Sequence, residues 1–63
     1  MKKTLRIQFG ERVKELRIAT GMSQEAFADR CGFARSYMRR IERGGYNASL
    51  EAIEVLAGAL NVE

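Results

Sequence analysis

Residues 22–44 read Met-Ser-Gln-Glu-Ala-Phe-Ala-Asp-Arg-Cys-Gly-Phe-Ala-Arg-Ser-Tyr-Met-Arg-Arg-Ile-Glu-Arg-Gly. Ser23 is placed to cap a free backbone N–H of a following helix, and Glu25 in its first turn favours the positive end of the dipole. Phe27, Ala28 and Cys31 form the inward side of that helix. Gly32 ends it in the left-handed conformation that glycine adopts cheaply. A second helix is expected over 34–43. At about 100° per residue, Ala34, Met38 and Ile41 cluster on one side of it. Ser36, Arg39, Arg40 and Arg43 lie opposite, with Arg35 on the edge, so four arginines meet one acid, Glu42. The like charges at i,i+4 (Arg35/Arg39, Arg39/Arg43) cost about 0.2–0.5 kcal/mol per pair in an isolated helix. A helix that carries this cost calls for an anionic partner. A helix, a tight turn and a second helix also let the second one stand out from the body and enter a groove about 12 Å wide.

Glycines punctuate the rest of the chain. Upstream, Leu5, Phe9, Val13 and Leu16 recur at steps of four and three, the mark of one helical face from Leu5 to Thr20. Thr4 is its expected N-cap. Gly10 inside this helix costs about 1 kcal/mol relative to Ala, which points to close packing there. Downstream of Gly44-Gly45, Ser49 is expected to cap a fourth helix whose apolar stripe is Leu50, Ile53, Leu56, Ala57 and Leu60. Asn61 is expected to close it in the left-handed conformation.

Composition fits one small all-α domain spanning residues 1–63. Apolar residues make up 46% of the chain and Pro is absent, which suits a helical globule and rules out a disordered chain. A chain of about 60 residues buries only ~60% of its unfolded surface, so the core must be efficient. Neither a membrane-length apolar run nor a signal peptide is read, and the expected location is the cytoplasm. The single cysteine, Cys31, is expected to act as a small buried hydrophobe. With no His at all, no metal site is expected. No catalytic constellation can be assembled, so an enzyme is not expected, nor any cofactor. All eleven Lys and Arg lie in residues 1–44 against five acids there, a net of +6. Residues 45–63 carry three acids and no base. A basic body with an acidic end suits a polyanion bound on one face.

Several pieces in order, namely Phe-Gly-Glu-Arg-Val-Lys-Glu-Leu-Arg at 9–17, Gly-Met-Ser-Gln-Glu at 21–25, Phe-Ala at 27–28 and Ile-Glu-Arg-Gly at 41–44, resemble the lambda-repressor-like (Cro/C1, xenobiotic-response-element type) helix-turn-helix family. Asn47, Ser49-Leu50-Glu51 and Leu56-Ala57 with Ala59-Leu60-Asn61-Val62 extend the likeness, while Ala48 stands where Pro is common and Asn61 where Gly is common. The resemblance implies a compact four- to five-helix domain with its helix-turn-helix core at 23–43. It places Arg35, Ser36 and Arg40, with Arg39 close by, where the family reads base edges. Gln24, Arg43 and Asn47 fall where the DNA backbone is contacted, with Tyr46 in the same loop. Arg17 and Glu42 match an ion pair tying the first helix to the end of the third. Tyr37, on the flank of the wheel, is expected to pack.

The expected function is therefore a sequence-specific transcription regulator on a double-stranded DNA operator, acting as a homodimer. Ala52, Val55 and Ala59, a second small apolar row, are the expected dimer surface together with Val62. The role is that of a phage-type repressor, an antitoxin-like autoregulator or a restriction–modification controller. The alternative is a protein-interaction or coactivator module on the same fold, which would have no need of the arginine side.

Overall fold

Hydroxyl caps set the start of three helices in the computed structural model, which describes residues 3–45 and 48–61. Thr4, Ser23 and Ser49 accept from the backbone N–H groups of Ile7, Ala26 and Ala52 at 3.2, 3.1 and 3.0 Å. They open α1 (Leu5–Thr20), α2 (Gln24–Cys31) and α4 (Leu50–Leu60). The remaining helix, α3 (Arg35–Arg43), starts at Ala34 without a side-chain cap. Ala34 is thus the exposed residue before the helix and not part of its inward face. All four helices end on a left-handed residue, Asn61 closing α4 as expected.

Val13, Phe27, Ala28, Met38, Ile41 and Leu56 form the core, drawn from all four helices. Phe27 and Met38 are fully buried. Phe9, Phe33 and Tyr37 pack against this cluster, with Phe33 and Tyr37 edge to face at 5.0 Å, a favoured aromatic geometry. Cys31 is half-buried beside it. Burial pushes its thiol above the ordinary value, with Arg30 pulling the other way. The thiolate is therefore scarce, and Cys31 serves as packing.

Two expectations about packing are corrected. Leu5 and Leu50 are 81% and 84% exposed, and Ile53 is 37% exposed, so none of them belongs to the buried core. In α4 the buried positions are Ala52 and Leu56, with Ala59 and Leu60 alongside. The helix is apolar around most of its circumference, so two stripes of helical period coexist in it. α1 and α2 pack against α4 and cover the one through Ala52 and Leu56. Ile53, Ala57 and Leu60 instead line an apolar gutter with Phe9 and Leu16 of α1. Ala52, at 4% exposure, is thereby removed from the expected dimer row, where Val55 remains 41% exposed.

A candidate DNA-reading interface

The cationic helix α3 is held from behind. Met38 and Ile41 anchor α3 in the core, and α1 crosses its C-terminal end at two glycines. A Cβ on Gly10 would press on the Ile41 carbonyl oxygen and stand 2.8 Å from that of Glu42. At Gly44 the backbone is left-handed, φ 78°, and a Cβ would lie 2.8 Å from the Ile7 Cα. Only residues without a side chain let these helices approach so closely.

Behind α3 also lies a buried polar network. Arg17 Nε and Nη2 donate to the two carboxylate oxygens of Glu42 at 2.7 and 3.0 Å, a bidentate pair. Arg17 Nη1 donates to the Met22 carbonyl at 2.9 Å, and Gln24 Nε2 donates to Glu42 Oε1 at 3.1 Å. α1, the α1–α2 loop, the start of α2 and the end of α3 are thus locked through one carboxylate. Among the described residues no buried side-chain nitrogen or oxygen lacks a partner. Gln24 thereby ties the start of α2 to the end of α3.

In front, the helix is cationic. Arg35, Ser36, Arg39, Arg40 and Arg43 are all exposed. Among the described residues, Arg39, Arg40 and Arg43 have no carboxylate within salt-bridge distance, so their charge is available to a ligand. Arg35 differs, because Glu25 and Asp29 both bind it. The hydrogen bond to Asp29, then the charges of Asp29 and Glu25, raise the pKa of its guanidinium. It stays cationic at any working pH.

Three further residues belong to this surface. Lys14 of α1 lines a polar cleft with Gln24, Arg39, Glu42 and Arg43. No local pattern announces this, because Lys14 reaches the cleft only through the α1–α3 crossing. Glu25 and Asp29 lie one turn apart on α2, which already puts them on one face. Their proximity to Arg35 depends on the turn at Gly32. Tyr46, Asn47 and Val62 lie outside the described residues. Among the described residues there is no cluster of metal-ligating side chains and no helix long and apolar enough to cross a membrane.

A capped helix, a left-handed glycine turn and an exposed cationic second helix, braced from behind, define a helix-turn-helix DNA-binding module. Comparison with known proteins agrees: a family model described as a helix-turn-helix domain matches residues 8–63, and the chain belongs to that family, of Cro/C1 type. The control protein C.BamHI of Bacillus amyloliquefaciens is 41% identical over 64 residues, covering 100% of this chain and 79% of that protein. The crystal structure of the restriction-modification controller protein C.AhdI from Aeromonas hydrophila superposes with a TM-score of 0.86 at 49% identity, covering 90% of this chain and 86% of that one. The restriction-modification controller C.Esp1396I, a tetramer on its natural 35 base-pair operator, matches with a TM-score of 0.87 at 27% identity, covering 98% and 82%.

Proposed function

We infer that this protein is a sequence-specific DNA-binding transcriptional regulator, a cytoplasmic controller of a restriction–modification operon. The observation that carries the reading is the exposed arginine side of α3 on a helix whose back is fixed by Arg17, Glu42 and Gln24. Relatives named as control and controller proteins support the particular role. A purely protein-binding module would not need three exposed arginines on one helix, Arg39, Arg40 and Arg43, that have no ion-pair partner among the described residues.

Phosphate contacts set the register and base contacts specify. Gln24, Arg43 and Lys14, around the polar cleft, are the backbone-contacting group in this reading, joined by Asn47 and Tyr46 of the following loop. Arg35 at the start of α3 donates two hydrogen bonds to guanine O6 and N7, the commonest specific contact. Arg40, a turn and a half further on, reaches towards the edge of the half-site, with Ser36 and Arg39 between them. A lone domain of this size offers few base contacts. Two copies on half-sites about 34 Å apart supply the rest. The exposed side of α4 around Val55 is the surface for that pairing, Ala59 being packed against the core.

The test is binding of wild type and Arg35→Ala to a full set of single-base operator variants. Arg35→Ala is expected to weaken binding about ten- to a hundredfold per half-site and to relax preference at one G·C pair only. An equal loss at every base and position would assign Arg35 to phosphate and overturn its reading role.

A further inference from the structure

Among the described residues, Arg35 is the one arginine of α3 with an ion-pair partner in the free protein. Its Nη1 donates to Glu25 Oε2 at 3.2 Å and its Nη2 to Asp29 Oδ2 at 3.1 Å. The three side chains are 54%, 62% and 59% exposed. Exposed ion pairs add little to folding stability and are screened by salt, so the clamp is not explained as a fold stabiliser. It also works against general DNA affinity. Two carboxylates and one guanidinium sum to −1 at the edge of a surface that meets phosphates.

We propose that Glu25 and Asp29 are positioning residues that hold the Arg35 guanidinium ready for a guanine edge and keep it off the phosphate backbone, so that they set the protein's selectivity. The inference rests on the base-reading role of Arg35. A guanidinium has five N–H donors in a fixed fork. The clamp engages two of them and leaves three, enough for a bidentate contact with O6 and N7. Fixing a rotamer-rich side chain before binding removes an ordering cost worth roughly two- to tenfold in affinity. The same carboxylates repel any phosphate approaching Arg35. The guanine contact is thus favoured and the indiscriminate one penalised, and selectivity gains from an attractive and a repulsive element together.

The opposite mechanism makes a different prediction. Were the acids a competitor that DNA must displace, they would weaken cognate binding at least as much as binding to random DNA. The experiment is a cycle: Glu25→Gln with Asp29→Asn, in the wild-type and in the Arg35→Ala background. Dissociation constants are measured on a selected operator and on a random duplex of equal length, by fluorescence anisotropy. Both substitutions are isosteric and exposed, and far-UV circular dichroism checks the fold of each variant. In the wild-type background, affinity for random DNA should rise while affinity for the operator stays level or falls, so the ratio drops about tenfold. With Arg35→Ala only the charge effect remains, and both affinities should rise together with the ratio unchanged. A ratio that stays constant or rises in the wild-type background overturns the proposal. Failure of the base-reading role itself is visible separately, as an unchanged ratio in Arg35→Ala alone.

Discussion

Glu42→Gln is the most informative single perturbation of the scaffold, because it removes one charge and almost no volume. The Arg17 and Glu42 side chains are 10% and 3% exposed, and their two hydrogen bonds are 2.7 and 3.0 Å. Replacing Glu42 by Gln leaves the guanidinium buried without a counter-charge. Breaking a buried pair from one side costs about 3–5 kcal/mol. A domain of this length has a total stability of about 3–9 kcal/mol at the usual ~0.05–0.15 kcal/mol per residue. The single variant should therefore lose a third of its stability or more. Arg17→Met should do the same, stranding the carboxylate with only the Gln24 amide. The double variant Arg17→Met/Glu42→Leu strands neither charge. It loses the bonds to the Met22 carbonyl and from Gln24, about 1 kcal/mol each, and recovers the desolvation of both ions. It should be within about 2 kcal/mol of wild type, far from the sum of the singles. Urea unfolding followed by far-UV circular dichroism gives the three values and their coupling energy. Singles that each cost under about 1 kcal/mol, or a double equal to their sum, would show that the pair is not the lock described here.

Gly10→Ala should destabilise by about 1–3 kcal/mol despite its better helix propensity, since the added Cβ meets two fixed carbonyls. Gly58→Ala, on an exposed turn of α4 with nothing nearby, should stabilise by about 1 kcal/mol. Thermal melts of the two variants check the contrast, and a melting point raised by both would refute the close crossing. Lys14→Ala and Arg43→Ala should each flatten the plot of log K against log salt by about 0.9 and weaken all DNA sequences alike. An unchanged slope removes the residue from the phosphate-contacting group. Val55→Glu should weaken self-association in sedimentation and binding to a full operator. A variant that dimerises and binds normally places the pairing surface elsewhere.

Much of this architecture is local, and local features were readable. Ser23, Ser49 and Thr4 cap because a hydroxyl before an apolar-periodic run has one obvious use. Met38 and Ile41 face inward because the other side of α3 is arginine. The close packing at Gly10 could be inferred from the anomaly of a glycine inside a helix, though not its partners, which are carbonyls some thirty residues away. Arg17 and Glu42, 25 residues apart, could be paired only through the family resemblance. Long-range geometry limited the rest. α4 offers two apolar stripes, and which one is buried depends on where α1 and α2 leave room. Glu25 was legible only as a first-turn acid and Asp29 only in the charge balance, because their partner Arg35 is brought to them by the turn at Gly32. Lys14 joins the polar cleft only through a helix crossing.

Selection of bound duplexes from a randomised library decides whether the arginine side of α3 reads DNA sequence. The expected result is enrichment of a pseudo-palindromic pattern with half-sites one helical turn apart, about 10 base pairs, each demanding a G·C pair that Arg35→Ala no longer demands. A pool no different from the input, or an enriched pattern that Arg35→Ala reproduces unchanged, would contradict it.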